Sequence, residues 1–321
     1  MTKLTAFLHG YPPQWSMGGE VSTHRTLRVV PGSTVFTDCE SPYSIDGVSV
    51  YPIHGFDLQS LKIAVTRSNP DVLFGHSALS AMVSRTSQVM RIPFILAVHA
   101  PMKYAADLRR AWPRAAARLY NTEAARKDWN DPNGWILHPP VGQPLPSLPG
   151  PHDALTLTSS LLNKGVNHVL ELAHKWSDRR FIIVNSPAHS THGSASFAKD
   201  AASLPNVEVW DRLHPDEMNK LWAETRVLLV PSRYETYGMS AVEAAGHGIP
   251  SVHVNTPHVL EGIGDAAYLL DNPQAQSLET GILEIERDYD HWVQAARSRF
   301  EERSVREERE LAVFTANVAT L

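Results

Sequence analysis

Hydrophobic and polar positions alternate along the first half of the chain in short apolar runs separated by amphipathic stretches. Amphipathic segments such as 57–68 and 77–90 have apolar residues at helical spacing. Strands that alternate with helices are typical of a parallel sheet covered by helices. The apolar runs predict seven strands: 4–9, 33–37, 48–53, 71–75, 93–99, 118–122 and 134–138.

A proline-rich segment at residues 139–151 interrupts this pattern. It holds six prolines and two glycines in 13 residues, which excludes a helix or a central strand and predicts a linker. The stretch from 288 to 321 is predicted to be helical to its end. Between the two the alternation resumes, with strands at 153–159, 180–186, 206–210, 226–232 and 249–255 and helices at 163–176, 216–224 and 240–248.

Two doubly wound, Rossmann-like α/β domains are therefore predicted. The first spans residues 1–143 and the second residues 144–302, with a C-terminal helix of about 303–321 that packs back on the first. Ligands of such folds bind at the carboxyl ends of the strands. A cleft between the two domains is the expected site.

Composition and charge narrow the class of protein. Cys39 is the single cysteine, and no apolar run approaches the roughly 20 residues that span a bilayer. With no signal-peptide pattern at the N-terminus, we predict a cytoplasmic protein. Residues 1–143 carry 14 Lys/Arg against 10 Asp/Glu and the remainder 15 against 24, which favours an anionic partner at the first half.

The segment 231–252, PSRYETYGMSAVEAAGHGIPSV, is the most informative of the chain. It lies between two apolar strands and contains a helix that is predicted to begin near Met239 or Ser240. The free N–H groups and the positive dipole end of such a helix suit a diphosphate. Gly238, directly before the helix, lets the backbone approach a ligand closely.

Two carboxylates flank this helix start. Glu235 precedes it and can accept hydrogen bonds from sugar hydroxyls, and Glu243, eight residues later, can reach the hydroxyls of a ribose. This spacing resembles the Glu-x7-Glu signature of glycosyltransferase family 4, the retaining enzymes with the GT-B fold. Residues 206–252 and 258–273 are similar to the donor domain of that family.

The resemblance extends backwards to TSSLLNKGVNHVLELA, residues 158–173. In the family, an arginine and a Lys-Gly pair at this place hold the pyrophosphate. Lys164 and Gly165 match that pair, whereas Ser160 occupies the position of the arginine. A serine carries no charge. Two arginines in nearby loops are candidates for the missing positive charge: Arg212 and Arg233.

The first half also contains segments that resemble the family. Gly18 and Gly19 precede a helix and resemble its N-terminal glycine pair, whose backbone approaches the phosphates or the acceptor. Two strands end in histidine, as they do in the family. The resemblance implies that His99 lies beside the transferring sugar. For His76 a role on the acceptor side and a purely structural role stay open.

A basic run at residues 103–127 carries Arg110, Arg114 and Arg118 at intervals of four. If helical, these arginines share one face, and Pro113 indicates that any helix begins near it. The run is either a solvated face or a site for a phosphate-bearing acceptor, such as an anionic lipid at a membrane surface or a nucleic acid. The acidic chain and the lack of interleaved aromatic residues weigh against nucleic acid.

Taken together, the resemblance implies a retaining glycosyltransferase. It would move a hexose from a nucleotide-diphosphate sugar, with UDP-sugars favoured and GDP-sugars next, to an acceptor hydroxyl. Glu235, His99 and Lys164 are the expected catalytic residues. The expected donor-binding residues are Gly18, Gly19, Ser160, Lys164, Arg212, Arg233, Glu235, Tyr237, Gly238, Met239, Ser240 and Glu243, and the expected acceptor-side residues are His76, Arg110 and Arg114.

No metal or further cofactor is expected beside the nucleotide sugar. The DYD triplet at 288–290 lies in a charged helical tail, and the histidines lack the tight spacing of zinc ligands. The acceptor could be a modified DNA base, a lipid, a peptide or a small metabolite. Two other functions stay open, a sugar-nucleotide epimerase on the same fold and a non-catalytic nucleotide-sugar-binding protein, the latter suggested by Ser160.

Overall fold

The computed structural model of the protein describes residues 2–14, 18–100, 105–142, 145–185, 194–214 and 217–321. The chain forms two compact units. Unit 1 comprises Met1–Pro140 and Val305–Leu321, and unit 2 comprises Val141–Ser304. The sequence predicts these boundaries at 143/144 and at about 303. No helix within the described ranges is long and apolar enough to cross a membrane.

Unit 1 is built on a sheet with the strand order β3-β4-β2-β1-β5-β6-β7-β8 in its described part. All neighbouring strands are parallel except β3 and β4, which form an antiparallel hairpin at the edge. The seven strands predicted from apolar runs are confirmed, most of them with shorter bounds, and β3 is additional. The strands are β1 Leu4–Phe7, β2 Thr34–Thr37, β3 Tyr43–Ile45, β4 Val48–Pro52, β5 Val72–His76, β6 Phe94–Val98, β7 Ala117–Tyr120 and β8 Trp135–Ile136.

Helices cover this sheet on both faces, and side-chain caps define the starts of α2 and α5. Asp57 shows how: its carboxylate accepts hydrogen bonds from the N–H groups of Gln59 and Ser60 at the start of α2. The helix ends at Asn69 in the left-handed conformation. The helices of unit 1 are α1 Gly18–Leu27, α2 Leu58–Ser68, α3 Ser80–Met90, α4 Ala106–Ala111 and α5 Glu123–Asp128.

The interpretation of the basic run is wrong in two respects. The helix that carries Arg110, α4, lies before Pro113, and the proline belongs to a single 3₁₀ turn, Trp112–Arg114, that follows it. A proline cannot donate the backbone hydrogen bond that would continue the helix. Arg118 lies in β7, where its guanidinium pairs with Asp131 at 2.5 Å. It therefore does not share a helix face with Arg110 and Arg114.

Unit 2 contains a fully parallel sheet in its described part, with the strand order β11-β10-β9-β12-β13-β14. Its strands are β9 Ala154–Leu157, β10 Phe181–Val184, β11 Val207–Trp210, β12 Thr225–Val230, β13 Ser251–Val254 and β14 Tyr268–Leu270. Its helices are α6 Val166–Lys175, α7 Ser194–Ala202, α8 Met218–Glu224, α9 Met239–Gly246, α10 Pro257–Gly262, α11 Ala275–Arg287 and the first part of α12 Tyr289–Val318.

The last helix continues into unit 1. Phe314 and Val318 are buried there in the core on one face of the sheet. Glu310 accepts hydrogen bonds of 2.9 Å from the backbone N–H and the Nδ1 of His138, whose side chain is fully buried. The residues after Ser304 are thus held in unit 1 by an apolar contact and by the hydrogen bonds between His138 and Glu310.

Each sheet has one point at which the strand order reverses. In unit 1 it lies between β1 and β5, and in unit 2 between β9 and β12. The loops after these strands diverge to opposite faces of the sheet, so a crevice opens at their carboxyl ends. The loops after β9 and β12 are therefore where a ligand of unit 2 is expected.

Candidate functional site

The reversal point of unit 2 brings together two residues that lie 71 positions apart. Lys164 ends the 3₁₀ turn after β9, and Glu235 lies in the loop after β12. The Lys164 Nζ donates a hydrogen bond of 2.8 Å to Oε2 of Glu235, and the two side chains are 33% and 13% exposed. The two residues predicted to hold a diphosphate and a sugar therefore form one ion pair.

The environment of Glu235 sets its charge. Burial raises the pKa of this carboxyl, but the Lys164 ammonium and its hydrogen bond outweigh burial, so that the pKa is lowered overall. The other carboxylate oxygen, Oε1, accepts a 3.0 Å hydrogen bond from the N–H of Thr236. Glu235 is therefore ionised at neutral pH and fixed in orientation.

Gly165 allows the two loops to meet. It has a φ of +83°, and a Cβ atom at this position would lie 2.4 Å from the carbonyl oxygen of Pro231. The N–H of Arg233 also donates to the carbonyl of Asn163 at 2.9 Å. Only glycine permits this contact, which brings Lys164 to Glu235.

Helix α9 begins directly after the same loop. Gly238 is its N-cap with a φ of +84°, and the first intrahelical bonds run from Ala241 and Val242 to the Gly238 carbonyl. The N–H groups of Met239 and Ser240 consequently have no intrahelical acceptor. A helix N-terminus thus lies three residues beyond the ionised Glu235, with donors suited to an anion.

Tyr237 was predicted to bind the donor, but the structure buries it. It is 1% exposed, and its hydroxyl accepts a 2.8 Å hydrogen bond from Nε of the buried Arg303 on α12. A Cβ atom on Gly262 would lie 2.6 Å from the Tyr237 carbonyl oxygen. Tyr237 therefore anchors the turn before α9.

The remaining predicted donor residues of unit 2 lie in the loops after β9, β11 and β12 or on α9. Ser160, after β9, donates a 3.0 Å hydrogen bond to the side-chain oxygen of Asn185, which follows β10. Glu243 lies one helical turn beyond Met239 on α9 and is half-buried. Arg233 is exposed, and Arg212 is half-buried in the loop after β11.

In unit 1 the reversal point gathers three of the predicted residues. Gly19 lies in the first turn of α1, which begins at Gly18, and a Cβ atom on Gly19 would lie 3.2 Å from the ring of His76 at the end of β5. The rings of His76 and His99 meet edge to face, with centroids 4.9 Å apart. Burial lowers the pKa of His76 to about 3, with His99 adding to the effect, and lowers the pKa of His99 to about 4. Both imidazoles are therefore neutral at pH 7.

An arginine patch lies elsewhere on unit 1. Arg85 of α3 joins Arg110 and Arg114, with Ala81 and Gln88, around a depression of about 430 Å³. Arg110 also pairs with Asp107 at 3.4 Å. Arg85 lies 25 residues before Arg110 and outside the basic run, and only the packing of α3 against α4 brings the two together.

The described part of the chain contains no group of three or more His, Cys, Asp or Glu side chains that could hold a metal ion.

Known proteins resemble the part of the chain that contains this site. Residues 148–304, nearly all of unit 2, match the family model of the glycosyl transferases group 1. This part of the chain is similar to a group 1 glycosyltransferase domain. The Lys164–Glu235 pair and the start of α9 both lie in this domain. The O-antigen chain mannosyltransferase B of Escherichia coli is 34% identical over 86 residues, which span 26% of this chain and 22% of that relative.

Solved structures extend the likeness to both units. HepE of Anabaena in complex with UDP-glucose matches with a TM-score of 0.78 at 13% identity, covering 100% of this chain and 99% of that one. Sucrose-phosphate synthase of Thermosynechococcus elongatus matches with a TM-score of 0.77 at 14% identity, and the match again covers 100% of this chain and 99% of that one. A structure of trehalose-6-phosphate synthase matches with a TM-score of 0.74 at 8% identity, covering 99% of this chain and 99% of that one. Its description concerns enzymatic glycosyl transfer with retention.

These comparisons confirm the predicted fold class, which is GT-B with two Rossmann-like α/β domains. The group 1 domain supports glycosyltransferase as the enzyme class. It contains all the predicted donor residues except Gly18 and Gly19, which lie in unit 1.

Proposed function

We propose that the protein is a retaining glycosyltransferase that moves a hexose from a nucleotide-diphosphate sugar to an acceptor hydroxyl. The observation that carries the proposal is the Lys164–Glu235 pair beside the N-terminus of α9, at the strand reversal of a group 1 domain. A cation and free helix N–H groups suit a diphosphate, and a fixed carboxylate suits sugar hydroxyls.

Each group has a defined part in the proposed transfer. The bond between the sugar C1 and the phosphate oxygen breaks, and the leaving diphosphate gathers negative charge that Lys164 and the N–H groups of Met239 and Ser240 stabilise. The acceptor oxygen forms the new bond to C1 on the same face, and its proton passes to a phosphate oxygen. Glu235 binds the sugar hydroxyls, and the neutral His99 positions the sugar.

The donor is proposed to be a UDP-sugar in the first place and a GDP-sugar in the second. The complex of HepE with UDP-glucose supports the first choice. The name of the mannosyltransferase relative supports mannose as one candidate hexose. The work on trehalose-6-phosphate synthase supports retention.

Thermal unfolding with UDP-, GDP-, ADP- and dTDP-sugars tests the donor class. At one hundred times its dissociation constant, a true donor stabilises the fold by about 2.7 kcal/mol, and the unfolding midpoint rises accordingly. The free nucleotides serve as controls. If no member of the panel shifts the midpoint, the proposed donor site is wrong.

Product analysis then separates the alternatives. A transferase yields an acceptor glycoside whose anomeric configuration, read by NMR, equals that of the donor. An epimerase instead releases the nucleotide diphosphate and an altered sugar without any acceptor. A midpoint shift without turnover on a broad acceptor panel identifies a binding protein.

The acceptor is proposed to carry a phosphate group that binds at the arginine patch of unit 1. The patch collects three guanidinium groups around one depression, a geometry that suits phosphate oxygens. The proposal covers the phosphate of a lipid head group as well as that of a soluble acceptor. Binding of the protein to vesicles that contain phosphatidylglycerol, compared with its binding to neutral vesicles, distinguishes a lipid phosphate from the phosphate of a soluble acceptor.

Reversing two charges of the patch is expected to weaken acceptor use selectively. The Arg85→Glu/Arg110→Glu variant should lower kcat/KM for a phosphate-bearing acceptor about tenfold, because two exposed charge contacts are together worth about 1.4 kcal/mol. The KM of the donor should not change. Lys62→Glu on α2 reverses a charge of unit 1 outside the patch and serves as the control. Equal effects of both variants would contradict a specific acceptor site.

A further inference from the structure

Arg303 is a buried arginine on α12 that the sequence analysis did not single out. It is 1% exposed, and its neighbours along the helix fix its place. Phe300, one turn before it, packs against α9, where a Cβ atom on Gly246 would lie 2.8 Å from Cε2 of the ring. Ser304, directly after it, donates a 2.7 Å hydrogen bond to the carbonyl oxygen of Gly142. The helix is therefore held on both sides of Arg303.

The guanidinium of Arg303 contacts the turn between Glu235 and α9. Its Nε donates a 2.8 Å hydrogen bond to the hydroxyl of Tyr237, and its Cζ lies 5.6 Å from the centre of the Tyr237 ring. A Cβ atom on Gly262 would lie 3.3 Å from the same ring. Tyr237 lies two residues after Glu235 and directly before Gly238, the N-cap of α9. The turn is thus confined between α10 and the guanidinium.

The polar character of this contact disfavours the folded state. Nη1 of Arg303 is buried and has no hydrogen-bond partner within the described ranges. The group that accepts from Nε is a hydroxyl, which does not balance the positive charge as a carboxylate would. A buried charge and an unpaired buried donor both cost free energy, whereas two apolar side chains of the same shape would not. A contact that only joined α12 to the turn would therefore not need an arginine.

The hydrogen bond provides what apolar packing does not, because it fixes a direction. A hydrogen bond requires a nearly linear arrangement of donor and acceptor, whereas apolar contacts are non-directional. The bond from Arg303 therefore fixes the orientation of the Tyr237 ring as well as its position. Since Tyr237 connects Glu235 to Gly238, this orientation sets where the Glu235 carboxylate lies relative to the start of α9.

We propose that Arg303 is a positioning residue of the donor site, whose hydrogen bond to Tyr237 fixes the turn that carries Glu235 and leads into α9, at a cost in stability. This inference rests on the proposed function. Arg303 acts through Tyr237 and does not itself touch the donor. It adds α12 to a site otherwise formed by the loops after β9 and β12.

A double-mutant cycle on Arg303→Met and Tyr237→Phe tests the role, with the unfolding midpoint and the calorimetric affinity for UDP and GDP as its two readouts. Each single variant leaves a buried polar group without its partner and should lower the midpoint. The double variant replaces both partners by apolar groups and should regain the midpoint of the unsubstituted protein. It should nevertheless bind UDP or GDP about tenfold more weakly, because the turn has lost its directional constraint.

The matched control is Arg297→Met. Arg297 also lies on α12, but its Nη2 donates to the His247 carbonyl oxygen at 3.2 Å, at the opposite end of α9. This variant should lower the midpoint without changing nucleotide affinity. If the double variant Arg303→Met/Tyr237→Phe regains both the midpoint and the affinity of the unsubstituted protein, Arg303 only packs, and the inference is overturned.

Tyr237→Phe alone covers the case in which Arg303→Met does not fold. It removes a single oxygen atom and with it the acceptor of the Arg303 bond. At a temperature at which it is folded, it should bind UDP or GDP about tenfold more weakly. Equal affinity of Tyr237→Phe and the unsubstituted protein overturns the inference and leaves the proposed function intact. If the unsubstituted protein binds neither UDP nor GDP, both fall together.

Discussion

Lys164→Ala is expected to lower the rate of sugar transfer by about 100- to 1,000-fold, the usual loss when a group that stabilises developing charge is removed. The ammonium lies 2.8 Å from Glu235 and beside the loop that leads into α9. Its removal takes a positive charge from the leaving diphosphate. It also leaves the 13% exposed Glu235 carboxylate without its cation, so that the site repels an anion. Steady-state kinetics with the donor found in the unfolding panel measures the loss.

Glu235→Gln separates the two effects. This variant removes the carboxylate charge and leaves the Lys164 ammonium free to bind phosphate. It should therefore retain or improve UDP affinity while it loses transfer, whereas Lys164→Ala should lose both. The double variant Lys164→Ala/Glu235→Gln shows how much of the loss in transfer rate comes from the interaction between the two residues and how much from each residue alone.

The control for Lys164→Ala is Lys175→Ala. Lys175 lies at the end of α6 in the same unit and forms an exposed ion pair with Glu279 at 2.5 Å. An exposed pair contributes little to stability, so transfer and the unfolding midpoint should both stay near those of the unsubstituted protein. Full activity of Lys164→Ala would contradict the proposed role of the lysine.

The sequence predicts the loops that carry Glu235 and Lys164, because chain-local features define those loops. Glu235 and Lys164 each follow a strongly apolar strand, and Gly238 precedes a clear helix, so a strand–loop–helix pattern located them. In a doubly wound sheet such loops meet at one edge. The pattern therefore predicted the neighbourhood, although it did not predict that the two side chains form an ion pair.

Features that depend on packing between distant segments were missed. Tyr237 lies between predicted ligand residues, but its burial depends on Arg303, 66 positions away on α12. Arg303 lies in the predicted C-terminal helix, whose charged pattern does not reveal that this arginine is buried. Arg118 is spaced as if on a helix, yet its strand pairs with β6 in the sheet. In each case tertiary contacts override the local pattern.

Gly165→Ala is expected to lower the unfolding midpoint of unit 2 by about 10 °C. Two costs add at this position. A residue with a side chain at a φ of +83° costs about 1–2 kcal/mol, and overlap in a packed interior costs about 1–3 kcal/mol more. A domain of this size loses about 2–4 °C for each kcal/mol. Differential scanning calorimetry measures the shift.

The overlap in Gly165→Ala is one that the structure cannot easily relieve. The new Cβ atom would lie 2.4 Å from the Pro231 carbonyl oxygen and 2.8 Å from its ring, and proline fixes its own φ. The loop after β12 would have to move away, and with it Glu235. At a temperature at which the variant is folded, transfer should therefore fall as well.

Gly142→Ala isolates the conformational cost. Gly142 has a φ of +90° in the same unit, but a Cβ atom there meets nothing within 4 Å. This variant should lose only about 2–8 °C, the cost of the left-handed backbone alone. If Gly165→Ala and Gly142→Ala lower the unfolding midpoint by the same amount, the contact between the loops after β9 and β12 is not rigid. Gly165 would then matter only for its φ, and the approach of Lys164 to Glu235 would have to be maintained by the ion pair and the hydrogen bond between Arg233 and Asn163.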